Sequence, residues 1–114
     1  MIKRLTVLLL LLLLPNFAEA KRVPPPRIEP LIYKGIKFIA PSERMGYVEA
    51  WDIATDRKVW EKKVYTIFIN PFLEPDVQWV FIVSLGIKDG RLLVIDERGR
   101  RYNITIPKRI LKYD

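Results

Sequence analysis

Few side chains in this sequence could do chemistry, and they are carboxylates. Glu74 and Asp76 flank Pro75, and Asp96 and Glu97 are adjacent before a turn. Paired carboxylates can share general acid and base work or hold Ca²⁺ through oxygen. Neither pair has the spacing of a calcium loop, and neighbouring carboxylates at β turns are expected to be solvated. The 114 residues include no His and no Cys. Cys/His metal centres, thiol nucleophiles and His-based triads are thereby excluded. No catalytic residue, cofactor site or metal ligand is assigned, and the expectation is a protein that is not an enzyme.

The other distinctive side chains suit contact rather than catalysis. Lys and Arg number 20 against 13 Asp and Glu, a net charge of +7. Arg98, Arg100, Arg101, Lys108, Arg109 and Lys112 cluster near the end of the sequence, and Lys58, Lys62 and Lys63 in its middle. Such clusters attract anionic surfaces: lipid headgroups, envelope polysaccharide or an acidic protein. They also keep an apolar β domain soluble and blunt its edge strands. Trp51, Trp60 and Trp79 are large enough to anchor either a core or an interface. The interaction residues expected from this pattern are Trp51, Trp60, Arg98, Arg100 and Arg101.

The elements that position these groups follow in order. Residues 1–20 have the parts of a secretory signal peptide: Lys3 and Arg4, then the apolar run Leu5–Leu14, then Ala18-Glu19-Ala20. The run is about ten residues, and a membrane-spanning helix needs roughly 20, so cleavage after Ala20 is expected. The mature chain would carry 20 − 2 = 18 basic and 13 − 1 = 12 acidic residues, a charge of +6. It would be exported, periplasmic or secreted, with no transmembrane segment and no nucleic-acid partner. Residues 21–30 form a Pro-rich tether through Pro24, Pro25 and Pro26.

Residues 31–107 read as a β domain, and residues 108–114 as a short basic tail. Leu31–Ala40 alternates loosely. Tyr47–Ile53 and Lys58–Asn70 form a hairpin, with the long second strand expected to bend or bulge. Val77–Ile87 is the strongest strand, with Trp79, Phe81, Val83, Leu85 and Ile87 on one apolar face. Asp89-Gly90 marks a tight turn, and two strands follow, ending at Pro107. The fold class is all-β: a small antiparallel meander of about six strands.

Ala50-x-Asp52-x-x-Thr55-x-x-x-x-Trp60 resembles the blade motif of the quinoprotein (PQQ-type) β-propeller repeat. In that family an Ala-x-Asp-x-x-Thr-Gly-Lys-x-x-Trp run joins the two outer strands of a blade, and its Trp docks on the neighbouring blade. Asp56 stands where the family has Gly, and Arg57 keeps the basic turn position. The resemblance covers Gly46–Tyr65 and implies a β-propeller-like blade hairpin. It carries over no quinone site, since a propeller needs several blades of roughly 40–45 residues.

Together these features favour an exported non-catalytic β module that binds a protein partner or self-associates. The alternative is a basic envelope or matrix protein held on an anionic surface by charge. A small carboxylate hydrolase ranks last.

Overall fold

The computed structural model describes residues 27–74 and 78–113. The expected signal peptide, the tether as far as Pro26, and Asp76 lie outside the described residues. Seven strands run in order: β1 Leu31–Tyr33, β2 Ile36–Ile39, β3 Tyr47–Asp52, β4 Arg57–Lys63, β5 Ile82–Lys88, β6 Arg91–Asp96 and β7 Arg101–Ile104. A short 3-10 helix, Lys108–Ile110, follows. The described chain is all-β and antiparallel, with consecutive strands paired everywhere except between β4 and β5. The strands divide between two sheets, β1-β2-β3-β4 and β5-β6-β7.

Turn chemistry sets the first hairpin of each sheet. Lys34 (φ 49°) and Gly35 (φ 81°) join β1 to β2, and Asp89 (φ 53°) and Gly90 (φ 74°) join β5 to β6. Two consecutive left-handed residues give the turn whose twist matches that of the flanking strands. The Lys34-Gly35 turn divides Leu31–Ala40, which the alternation alone presents as one strand. Gly35 is required twice over. Its φ is left-handed, and a Cβ there would lie 2.7 Å from the Lys112 stem.

The strongest expected strand is shorter than its apolar run. β5 begins at Ile82, and the register slips between Ile82 and Ser84. A residue added to one strand reverses the facing of all that follow. Ile82 therefore faces inward with Leu85 and Ile87, while Val83 falls out of the pattern. Trp79 and Phe81 precede the strand and pack on each other, ring centroids 5.8 Å apart. The second strand of the central hairpin is likewise shorter than expected. β4 stops at Lys63, and its register shifts opposite Ala50 and Trp51. The extra residue, Val59, lets both Val59 and Trp60 reach the core.

The inner faces of both sheets build one core. Ile36, Phe38, Val48 and Ala50 come from the first sheet, and Ile82, Leu92 and Val94 from the second. Ile106 and Ile110 complete it. The segment expected as a basic tail is thus a strap. Ile110 inserts into the core, the Lys112 N–H donates to the Lys34 carbonyl (3.0 Å), and its ammonium meets Asp52 (2.6 Å). The chain leaves the second sheet at β7 and closes on the first.

β3 and β6 follow one plan. Val48, Ala50 and Asp52 alternate inward on β3, and Leu92, Val94 and Asp96 do so on β6. Each strand ends in a buried aspartate that organises the next turn.

Candidate interaction surface

The buried aspartates fix the two turns that carry the exposed basic groups. Asp96 is fully buried. One carboxylate oxygen accepts the N–H groups of Arg98 (2.9 Å) and Arg100 (3.0 Å). The other accepts Arg100 Nε and the Tyr102 hydroxyl, both at 2.9 Å. Burial pushes its pKa up, but these four donors outweigh burial and hold it below the usual carboxylate value. Glu97 Oε1 accepts the Phe81 N–H at 3.0 Å, and the Glu97 N–H donates to the Phe81 carbonyl. The Asp96-Glu97 pair is therefore a turn lock. Asp96 is not the solvated carboxylate its position suggests, and it has no free lone pair aimed at solvent.

Asp52 plays the same part in the central hairpin. It accepts the Ala54 N–H at 2.9 Å, and Asp56 beyond it adopts φ 56°. The Lys112 ammonium, with the backbone of Ala54 and Thr55, holds its pKa down. Asp56 occupies the left-handed position without being Gly, as a short polar side chain can.

The expected interaction residues separate. Trp60 faces inward, its ring edge-on to Phe38 at 6.5 Å, and it packs against the core. Trp51 lies on the outer face, where its indole N–H donates to Glu49 (3.1 Å). Around it the outer face is an internally paired network. Arg44 reaches Glu49 at 2.7 Å and Glu61 at 2.9 Å, and Lys58 reaches Glu61 at 2.8 Å. Arg44 also lies 4.1 Å over the Tyr47 ring. Hydrogen bonds from Arg44 and then Lys58 pull the Glu61 pKa down to about 2. Arg98, Arg100 and Arg101 are all exposed. The Arg100 charge is shared with Asp96 (2.9 Å), and among the described residues Arg98 and Arg101 have no acidic partner.

The segment between β4 and β5 presents a feature the sequence did not single out. Phe68 is 84% exposed, Phe72 92% and Leu73 57%. Solvated apolar rings in an unrestrained loop would be unremarkable, but this connector is held. Gln78 Oε1 accepts the Asn70 N–H (2.7 Å), and its amide nitrogen donates to the carbonyls of Asn70 (3.0 Å) and Glu74 (3.1 Å). Asn70 Oδ1 accepts the Phe72 N–H at 2.9 Å. At its base the Tyr65 hydroxyl donates to the Val80 carbonyl, and the Tyr65 ring stacks on Tyr102 at 5.3 Å. The sequence signal was there: three bulky apolar residues around Pro71. Apolar character alone assigned them to a strand or a loop, not to a surface.

Among the described residues, no three metal-ligating side chains come together, and no helix is long and apolar enough to cross a membrane. Glu74 is exposed, and its carbonyl serves Gln78. No protein-family model, no curated protein and no solved structure matches this chain.

Proposed function

We propose that this chain is an exported, non-catalytic β module that binds a protein partner, with the Phe68–Leu73 connector as the contact. The observation that carries this is the near-complete exposure of Phe68 and Phe72 on a segment braced by Gln78. Burying an aromatic side chain of this size contributes about 2 kcal/mol. A braced loop loses little further freedom when it docks. Export rests on the signal-peptide features of residues 1–20. The blade-like nature of the central hairpin rests on Ala50, Asp52, Thr55 and Trp60, and the role of Asp52 in closing the turn supports it. Trp51, on the outer face of the first sheet and bonded to Glu49, is a separate candidate contact. Trp60 belongs to the core.

The test compares wild type with a Phe68→Ser/Phe72→Ser variant in a cross-linked pull-down from the native compartment. A partner held by wild type at high salt and lost by the folded variant supports the proposal.

A second reading, attachment to an anionic surface, is favoured by the exposed, unpaired Arg98 and Arg101. Lys108 and Arg109 are exposed just beyond them. Binding of that kind weakens steeply with ionic strength, and Arg98→Ala/Arg101→Ala would weaken it while leaving the connector contact intact.

A further inference from the structure

Among the described residues the two sheets have four edge strands, and one of them lacks protection. β1 is three residues long and follows Pro30. β7 is four residues long and opens with Arg101. β4 carries Arg57, Lys58, Glu61, Lys62 and Lys63. Antiparallel pairing of β4 with its own copy about Trp60 would set Lys58 against Lys62 and Arg57 against Lys63, which repels. β5, Ile82-Val83-Ser84-Leu85-Gly86-Ile87-Lys88, has one charge, at its end. Long apolar edges of this kind are templates for a further strand.

We propose that β5 pairs antiparallel with β5 of a second copy of this chain, about a two-fold axis at Gly86. The two-residue turn makes Lys88 and Arg91 a pair that exchanges both backbone hydrogen bonds. By alternation Gly86 also bonds to β6, and the N–H and C=O groups of Leu85 and Ile87 point away from it. Among the described residues no strand pairs with that edge. Leu85 and Ile87 pack on the core yet stay half-buried.

Pairing about Gly86 sets Leu85 opposite Ile87 of the second copy, for four backbone hydrogen bonds across the axis. Ser84 then lies opposite Lys88, and no like charges meet. Gly86 faces its own counterpart in a non-hydrogen-bonded pair, where the backbones come closest, about 4.5 Å between Cα atoms. Among the described residues nothing calls for glycine there. A Cβ on Gly86 would meet no atom within 4 Å, and its φ is not left-handed. Glycine inside a strand weakens it, and close approach of another backbone is one reason to find it. The bulge at Val83 confines the pairing to Ser84–Lys88. Two three-stranded sheets become one of six strands. This dimer is separate from the connector contact and does not depend on it.

The test is sedimentation of the full chain as its own cells process it. Wild type is expected to run as a dimer. Gly86→Lys sets two ammonium groups face to face at an open site and weakens the dimer about fivefold or more. Gly86→Glu does likewise, and mixing the two variants restores a heterodimer. Hydrogen exchange on wild type, independent of any variant, should show the Leu85 and Ile87 amides slowing as dimer forms. Phe68→Ser/Phe72→Ser should leave the dimer intact. A wild type that stays monomeric to about millimolar concentration, a Lys variant as dimeric as wild type, or exchange at Leu85 and Ile87 that ignores concentration would overturn the proposal.

Discussion

Glu49 on β3 and Glu61 on β4 stand directly opposite each other, and one guanidinium, that of Arg44, binds both. Like charges facing across strands repel, so this hairpin depends on a residue from the preceding loop. The Glu61 pKa is lowered from 4.5 to about 2, first by Arg44 and then by Lys58. A carboxylate depressed in the folded state adds stability that is present above its unfolded pKa and lost as pH falls through its folded pKa. The thermal unfolding midpoint of wild type should therefore fall as pH drops from 4.5 to 2. Glu61→Gln should flatten that part of the profile, and Arg44→Met should lower the midpoint at neutral pH. Equal acid slopes in wild type and Glu61→Gln would contradict this.

Asp96 is the larger single liability. Its removal strands two backbone N–H groups, the Arg100 side chain and the Tyr102 hydroxyl. Asp96→Ala should cost about 3 kcal/mol or more. Asp96→Asn should cost less, because its remaining oxygen can still accept the Arg98 and Arg100 N–H groups. It cannot serve Arg100 Nε. Denaturant titration of the pair checks the order, and equal losses would show that the second oxygen does not matter.

Much of this architecture was legible in the residues. Asp89-Gly90 announced its turn, and the alternation of Leu92 and Val94 placed β6, because turn chemistry and period two are local signals. Lys34-Gly35 gives no comparable signal, because lysine is an unusual first residue for a left-handed pair. The apolar run Val77–Ile87 extends beyond β5 because Val80 and Ile82 keep the second parity apolar around its start, and a bulge leaves no mark there. The candidate site was harder. Exposed Phe68 and Phe72 look like core by composition, and Trp51 and Trp60 separate only once the strand register is known. Charge marks Arg98, Arg100 and Arg101 in the sequence, but the Asp96 lock beneath them depends on backbone donors that no pattern of residue types displays.

The closing strap should matter more than its position suggests. Ile110 is buried, and Ile110→Ala should cost roughly 2–4 kcal/mol. Gly35→Ala should also destabilise, since it adds a left-handed penalty and a clash with the Lys112 stem. Chemical denaturation of each variant gives the number. An Ile110→Ala midpoint equal to wild type would mean that the strap is not part of the core.

Tyr65 joins the connector to the second sheet. Burial, then the nearby Asp96 charge, pushes its pKa up to about 12. A group raised in the folded state adds stability that is full below its unfolded pKa and lost as pH rises through its folded pKa. Stability should fall between pH 10 and 12, and Tyr65→Phe should reduce that fall but not abolish it, since Tyr102, raised by burial and then by its bond to Asp96, contributes as well. The same variant should lose about 1 kcal/mol at neutral pH with the hydrogen bond to Val80. An alkaline slope unchanged in Tyr65→Phe would assign it elsewhere.

The most direct measurement is capture of the cross-linked partner by wild type and by Phe68→Ser/Phe72→Ser, at low and high salt, with both proteins verified as folded. A protein partner retained by wild type at high salt and absent from the variant is the predicted result. Equal capture by both, or wild-type capture that disappears at high salt, would contradict a connector-mediated protein contact.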